Sequence, residues 1–311
     1  MSDGTRISVF ASSLVLTITV EASNQATGDE IHLHPGGQGF WVARMVGHLG
    51  ESCVLSTCLG GEVGLVLAAL VASETLTLAP TWQQAESPVY IHDRRSGQRV
   101  AVAERPHRKP TRHEQDDFYS RTLETAIEAG SCVVTGRYLG GGVPASFFTR
   151  LAADLQATGV RAIGDLHGRD LEAFLKGGPL DLLKVSVEDL KSDGVLTSQH
   201  ESEVKQAITR FLRRGVKDIV VSGAGEASLA CIDGYWYRIR QPTLEAADHR
   251  GSGDSMTAGL TVGRVRGEDP EKLLRLGAAA GAANVVRRGL GNADRDLIEA
   301  LQGQVEVDEW G

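Results

Sequence analysis

The stretch Asp248-His249-Arg250-Gly251-Ser252-Gly253-Asp254-Ser255-Met256-Thr257-Ala258-Gly259 decides how the rest of the chain is read. Three small residues enter a segment in which Met256, Gly259, Leu260 and Gly263 share one small or apolar face at helical spacing, and a second apolar helix is expected over 271–286. A helix that starts on Gly251, Ser252 and Gly253 leaves its first backbone N–H groups unobstructed, and the helix dipole adds partial positive charge there. Such an end is a ready anion site. A phosphoryl group in transfer fits it. A carboxylate from Asp254, in the first turn, would stand beside that anion and could accept a proton from an attacking alcohol. The dipole alone also favours an aspartate at an early helix position, so on the residues themselves both readings stand.

Outward from this motif, short β-branched runs alternate with longer amphipathic segments, the pattern of strand and helix units around a mainly parallel sheet. Strands are expected over 7–10, 53–58, 132–136, 161–165, 182–185 and 218–222. Helices are expected over 122–129, 145–157 and 201–214, the last with Val204, Ile208, Phe211 and Leu212 on one stripe and Gly215 as its stop. Two segments break the alternation: 14–20 with 30–34, and 89–93 with 98–103 across Arg95-Ser96-Gly97. They read as hairpin strands of a small sheet covering the main one. The stretch 104–117, polar and rich in both charge signs, reads as a solvated loop.

The chain has 311 residues, 41% of them hydrophobic, which allows one large α/β domain or two smaller ones with a substantial core. Its formal charge of −8 argues against nucleic acid or an anionic membrane as the main partner, because either needs a basic surface. The longest apolar stretches, around 10–20 and 64–72, are short for a bilayer and interrupted by Ser and Thr. Cys53, Cys58, Cys132 and Cys231 form no CxxC pair and read as buried reduced thiols. With no signal pattern at its start, the protein is expected in the cytoplasm.

Two further glycine clusters point to ligands. His34-Pro35-Gly36-Gly37-Gln38-Gly39 follows a lid-type strand and opens a helix with Val42, Met45, Val46 and Leu49 inward. Gly-Gly at such a junction lets a ligand approach the backbone closely. A dinucleotide fingerprint is disfavoured, since its third glycine falls on Val42 and the first strand is not adjacent, and no glycine-rich loop ends in Lys-Ser or Lys-Thr. Ser222-Gly223-Ala224-Gly225-Glu226 ends a buried strand and precedes a hairpin turning at Asp233-Gly234; it is a phosphate or ribose loop, or simply a turn. His32 and His34 alternate onto one strand face, but no third metal ligand is in reach in the sequence.

In this order, a lid strand, Gly36-Gly37-Gln38-Gly39, Ser222 to Glu226, and Gly251-Ser252-Gly253-Asp254 with Met256 to Gly259 behind it, the chain resembles the ribokinase-like PfkB carbohydrate kinases. The resemblance covers nearly the whole chain and is nearest to the branch containing 1-phosphofructokinase and tagatose-6-phosphate kinase. It implies an α/β fold, a ribokinase-like three-layer α/β/α sandwich with a mainly parallel sheet and a small β lid. The kinase domain would be single and span 1–311, with lid strands from about 12–35 and 86–104. It further implies Asp254 as catalytic base, Gly251, Ser252 and Gly253 as anion hole, and ATP with Mg²⁺ as donor. Asp165 would lie near the nucleotide phosphates, Ser222, Gly223, Ala224 and Gly225 along the nucleotide, and Asn284 to Gly289 close to the adenine.

Against that pattern the acceptor pocket is rebuilt. The family's GGKGxN reads here as Gly36-Gly37-Gln38-Gly39-Phe40-Trp41, replacing a lysine by Gln38 and an asparagine by Trp41. Pro88 and Tyr90 stand where an Arg and an Asn are usual, and Ser12 and Ser13 precede an apolar run where a sugar-binding aspartate is expected. Trp41 and Tyr90 favour a flatter, less polar or aromatic-bearing acceptor, because a polyol needs many paired donors and acceptors. Gly36, Gly37, Gln38, Trp41 and Tyr90 are thus the candidate acceptor residues, with Arg137 either an anion-binding charge or a surface loop arginine. The family's metal-associated NxxE reads Ser186-Val187-Glu188-Asp189, keeping a shorter carboxylate at Asp189 for Mg²⁺. Asp248 matches a position that binds a monovalent cation in some relatives, or serves as a cap.

The expected function is therefore an ATP-dependent kinase acting on an alcohol of a sugar, sugar phosphate or related small molecule. A nucleoside kinase of the same fold, motivated by Trp41 and Tyr90, and a non-catalytic metabolite- or nucleotide-sensing descendant, motivated by the lost lysine, asparagine and NxxE features, are the alternatives. The exposed lid strands need covering, which points to a homodimer through the lid.

Overall fold

Neighbouring apolar residues in the expected strands face opposite sides of one sheet. In the computed structural model, which describes residues 6–23, 28–137, 141–223, 226–242, 250–285, 291 and 293–310, both sides are covered by helices. The described elements run β1 (Arg6–Ala11), β2 (Val15–Glu21), β3 (Glu30–Gly36), α1 (Gln38–His48), β4 (Ser52–Gly60), α2 (Gly61–Val71), β5 (Thr77–Gln83), β6 (Val89–Asp93), β7 (Val100–Arg105), α3 (Arg112–Ala129), β8 (Ser131–Thr135) and α4 (Ala145–Ala157). They continue through β9 (Arg161–Asp165), α5 (Gly168–Gly177), β10 (Leu180–Ser186), α6 (Val187–Ser192), α7 (Glu201–Leu212), β11 (Val216–Ser222), β12 (Ser228–Ile232), β13 (Tyr235–Arg240), α8 (Ser252–Arg266), α9 (Pro270–Val285), α10 (Arg295–Gln302) and β14 (Glu306–Glu309).

The main sheet has the order β14-β13-β12-β11-β10-β9-β8-β1-β4-β5. From β5 to β11 every pairing is parallel, and β12, β13 and β14 add antiparallel strands at one edge. Val9, Val133, Ile163 and Leu182 pack into one core with α1, α8 and α9, while Phe10, Val134, Ala162 and Leu183 pack into the other with α3, α4, α5 and α7. This is why the strands read as continuous apolar runs. On the second side Phe10 lies with its ring centroid 5.4 Å from Phe118 and 5.4 Å from Phe147, so truncating it to Ala would cost about 3–5 kcal/mol. On the first side α8 and α9 touch closely: a Cβ on Gly259 would lie 2.7 Å from the Leu276 carbonyl oxygen, which explains the small face read from the sequence.

The expected strands and helices are present, with two differences. Helix α3 begins at Arg112, inside the stretch expected to be a solvated loop, because Thr111 and Glu114 form a capping box: Glu114 N–H donates to Thr111 Oγ1 at 3.3 Å and Thr111 N–H to the Glu114 carboxylate at 2.6 Å. The edge strands β5 and β14 carry no clean alternation and, like helices α2, α5, α6 and α10, were not expected. Gly215 acts as anticipated, adopting φ of +98° between the end of α7 and β11.

The inserted strands form a separate sheet of order β3-β2-β6-β7. Its register builds two cross-strand rows on one face, His34-Thr17-Tyr90-Glu104 and His32-Thr19-His92-Ala101. The other face carries Leu33-Ile18-Ile91-Ala103 and Ile31-Val20-Asp93-Val100, with Ile31, Leu33 and Val100 exposed. Burial, then the charges of Arg94 and Arg250, hold His92 below the ordinary histidine range.

Candidate active site

Helix α8 begins on Gly251, which takes the left-handed φ of 72° as N-cap and offers no side chain to the first turn. Among the described residues, the N–H groups of Ser252 and Gly253 donate to no acceptor outside their own helix. Ser252 spends its hydroxyl on the Gly281 carbonyl at 3.0 Å, fastening the start of α8 to α9. Asp254, in the first turn and partly exposed, lines a cavity of about 500 Å³ at the carboxyl ends of β8, β9 and β10. This is where open parallel sheets bind ligands.

The floor of the cavity is a buried charge cluster. Lys184 Nζ lies 3.7 Å from Asp165 Oδ1, with side-chain exposures of 6% and 4%. The two are direct cross-strand partners in β10 and β9. The Thr257 hydroxyl, one turn into α8, donates to Asp165 Oδ2 at 2.6 Å. A Cβ on Gly253 would sit 2.5 Å from Lys184 Nζ, so the ammonium stands directly against the amide-bearing turn and would have to shift for any larger residue.

Burial, reinforced by the Asp165 carboxylate, pushes Asp254 up to about 8 against the pull of Lys184. Asp165 is raised as well, by burial first, with Lys184 opposing. Burial also works against the charge on Lys184, but Asp165, Asp254 and Asp189 together hold it above the ordinary lysine range. A carboxyl whose proton comes off late, beside helix-start amides and an ammonium, is an arrangement suited to proton abstraction next to an anion.

The remaining walls come from loops after the same strands. Ser186 and Asp189 form a capping box on α6, in which Asp189 N–H donates to Ser186 Oγ at 3.0 Å and the Ser186 hydroxyl donates to Asp189 Oδ2 at 2.6 Å. Asp189 Oδ1 is left facing the cavity, 3.9 Å from His167 Nε2. His167 Nδ1 is 3.2 Å from Asp193, whose carboxylate also accepts the Gly168 N–H at 2.7 Å. Asp170 accepts both the Arg137 backbone N–H and its Nε at 2.8 Å. Gln38 Oε1 accepts the Gly136 N–H at 3.2 Å, and Trp41, Arg169 and Gly168 complete the lining.

Of the residues singled out in the sequence, the structure brings Asp254, Gly253, Asp165, Asp189, Gln38, Trp41 and Arg137 to one cavity. Gly251 and Ser252 adjoin it in the same turn, and Ser186 adjoins it through Asp189. Several expectations need correcting. Asn284 is not an adenine contact: it is 1% exposed, its Nδ2 donates to the Arg250 carbonyl at 2.6 Å and its Oδ1 accepts the Gly291 N–H at 2.7 Å, so both polar atoms join loops of the protein. Tyr90 does not line the cavity; its ring stacks on His92 at 5.4 Å within the lid and is covered by Arg99. Gly36 and Gly37 are buried at the turn into α1 rather than lining the cavity, Gly37 with φ of 117°. Nor do the lid strands wall this cavity, whose lining comes from α1 and the ends of the main-sheet strands. Arg137 lines it with its charge already held by Asp170.

Ser222 and Gly223 lie at the end of β11, two strands from Asp165. Ala224, Gly225, Asp248, His249 and Gly289 lie outside the described residues. The rings of His32 and His34 stack at 5.9 Å, and no group of three or more His, Cys, Asp or Glu is placed to hold a metal ion by itself among the described residues. All four cysteines are buried and free, and no described helix is long and apolar enough to cross a membrane. Lys184, Thr257, Asp170, Asp193 and Arg169 were missed. A lysine inside the apolar strand run Leu180–Ser186 was the available signal for Lys184; the others carry none that a single sequence exposes.

The model of the pfkB family of carbohydrate kinases matches residues 5–296. The ATP-dependent 6-phosphofructokinase isozyme 2 of Escherichia coli (strain K12) is 28% identical over 260 residues, covering 82% of each chain. The tagatose-6-phosphate kinase of Staphylococcus epidermidis is 25% identical over 278 residues, covering 88% of each. The crystal structure of phosphofructokinase-2 from Escherichia coli in complex with potassium superposes with a TM-score of 0.85 at 24% identity, over 96% of this chain and 99% of that one.

Proposed function

The chain belongs to the pfkB family of carbohydrate kinases, phosphotransferases with an alcohol acceptor, and from that premise we propose that it moves the γ-phosphoryl group of ATP to a hydroxyl of a sugar or sugar phosphate in the cytoplasm. The observation that carries the reading is Asp254 standing beside the amides of Ser252 and Gly253, which among the described residues have no partner outside their helix, with the Lys184 ammonium against the same turn.

Asp254 takes the proton of the acceptor hydroxyl as the oxygen attacks phosphorus. A carboxylate pushed up toward 8 is a stronger base than a free one, and positioned proton transfer of this kind contributes about 10²–10⁴-fold. The N–H groups of Gly251 to Gly253 and the dipole of α8 face the charge spread over the transferring oxygens, and Lys184 adds a fixed cation there. Thr257 and Asp165 hold that ammonium in place, leaving little to reorganise during transfer. Ser222 and Gly223 would follow the nucleotide from the β11 side.

Mg²⁺ fits the donor chemistry of Asp189. Its Oδ2 is consumed by the cap of α6 while Oδ1, a hard oxygen, faces the cavity. Asp189 would hold the ion through water, as suits a cation that keeps much of its hydration and binds chiefly to phosphates. There the ion would neutralise charge on the β- and γ-phosphates. The monovalent-cation position at Asp248 falls outside the described residues.

The acceptor side differs from a polyhydroxyl-binding pocket. Trp41 supplies a flat apolar wall, and the Oε1 of Gln38 is tied to the Gly136 N–H. A second copy of the chain would cover the exposed Ile31, Leu33 and Val100 face of the lid.

The test is ATP turnover on fructose 6-phosphate, tagatose 6-phosphate, fructose 1-phosphate, the parent sugars and nucleosides. Transfer to one class, lost by at least 10²-fold in Asp254→Asn with ATP binding kept, supports the reading. Nucleotide binding without transfer to any of them would refute it.

A further inference from the structure

Each cation lining the cavity has a carboxylate beside it except one. Lys184 is held by Asp165 and Arg137 by Asp170. Arg169, exposed in the first turn of α5 and lining the same cavity, makes no hydrogen bond or ion pair with any described residue. Its neighbour Asp170 grips both the backbone and the guanidinium of Arg137. That grip fastens the start of α5 to the loop after β8, on the side where Gln38 and Trp41 also lie and away from Ser222 and Gly223 at the end of β11.

We propose that Arg169 is a specificity-determining residue that binds an anionic group, a phosphate, of the acceptor. The site thereby replaces, from the β9–α5 wall, the cation that Gln38 cannot supply at the turn into α1. Three observations converge on this. A guanidinium offers five donors in a planar fork matched to phosphate oxygens, and this one has spent none of them on any described residue. Arg137, Asp170 and Arg169 together carry a net positive charge beside a cluster otherwise rich in carboxylates, Asp165, Asp189 and Asp254. Finally, the clamp on Arg137 fixes the wall from which Arg169 reaches, so the cation is placed on a rigid edge of the cavity rather than on a free loop. The identity of the cavity as an acceptor site rests on the kinase reading above.

Equilibrium calorimetry on the full chain separates the two. Wild type, Arg169→Gln and Arg169→Lys are titrated with fructose 6-phosphate, tagatose 6-phosphate, fructose, inorganic phosphate and ADP with Mg²⁺. The expected result is at least one sugar phosphate bound tenfold or more weaker by Arg169→Gln, partial recovery in Arg169→Lys, and ADP with Mg²⁺ unchanged within twofold. The wild-type affinity for the sugar phosphate should also fall more steeply with salt than that of the glutamine variant. Equal sugar-phosphate affinity in wild type and Arg169→Gln, a loss confined to ADP with Mg²⁺, or no wild-type preference for either sugar phosphate over fructose would each overturn the proposal. Because nothing turns over in this experiment, a wild type that binds sugar phosphate through Arg169 yet transfers no phosphoryl group would sink the kinase reading alone.

Discussion

The ammonium of Lys184 occupies the space that a side chain on residue 253 would need: a Cβ there would lie 2.5 Å from Nζ. The glycine in the middle of the anion-binding turn is therefore set by a lysine on a different strand as much as by the ligand. Gly253→Ala should displace Lys184 and cut phosphoryl transfer by about 10²-fold, comparable to the loss of one preorganised donor to the reacting charge. Lys184→Met should do more, because it strands Asp165 as an uncompensated buried carboxylate, and should lower stability by about 3–5 kcal/mol. Paired measurements of kcat and of denaturant midpoint separate the two; an alanine at 253 with full activity would show that the ammonium is not engaged in transfer.

The pH dependence follows from Asp254. Its carboxyl is pushed up to about 8, so below that pH the ligand-free enzyme holds the proton that the base must be free of. The value of kcat/KM should rise about tenfold per pH unit up to about 8 and then level. Stability should run the other way. Between the ordinary carboxylate range near 4 and the folded value near 8, folding retains a proton that the unfolded chain releases, so wild-type stability falls by up to about 1.4 kcal/mol per pH unit relative to Asp254→Asn and levels above 8. Melting curves of both proteins from pH 5 to pH 9 check the sign; a gap that narrows with rising pH would contradict a raised carboxyl.

The parts of this site legible in the sequence are the parts made locally. A helix opening on Gly251, Ser252 and Gly253 exposes amides whatever surrounds it, and Asp254 follows in the same turn. Lys184 and Asp165 were not legible as a pair, because their meeting depends on β10 lying beside β9 in one register, which no local pattern specifies. Asn284 misled for the opposite reason. The resemblance implies a place close to the adenine, yet Arg250 and Gly291 need hydrogen-bond partners at that point and a buried amide serves both. The alternation that identified the lid strands identified the sheet but not its orientation, so Tyr90 was assigned to the cavity when its ring is spent on His92 and Arg99. At Thr111 the density of charge concealed a capping box that starts α3.

The Arg137 and Asp170 pair is a second structural hinge of the site, with side-chain exposures of 20% and 11%. Asp170→Ala removes the acceptor of the Arg137 backbone N–H and the guanidinium together, and should lower stability by about 1–3 kcal/mol. Gln38→Ala, which removes one of two acceptors of the neighbouring Gly136 N–H and leaves the Asp165 carbonyl at 3.3 Å, should act in the same direction but more weakly, since it breaks one neutral contact. The two losses should fall short of additive in the double variant, because both tie down the same loop after β8. Chemical denaturation of the four proteins measures this; fully additive losses would mean the loop is held elsewhere.

The lid predicts its own partner. Ile31 and Val20 stand side by side across β3 and β2, Leu33 and Ile18 form the next row, and Ile31, Leu33 and Val100 are exposed on that face. Each large aliphatic side chain taken out of water is worth about 1.5–3 kcal/mol, so a self-complementary contact across these rows is worth several times the thermal energy before ordering costs. A second exposed apolar region, Leu65 and Val66 on α2 beside Trp82, lies off the lid strands. Light scattering at micromolar concentration should therefore report a dimer for wild type and for Leu65→Asp, and a monomer for Ile31→Asp combined with Leu33→Asp. The substituted side chains are exposed, so the fold should survive, as a retained melting transition would verify. A dimer that persists in the double lid variant but dissociates in Leu65→Asp would move the interface to α2 and leave the lid face without a partner copy.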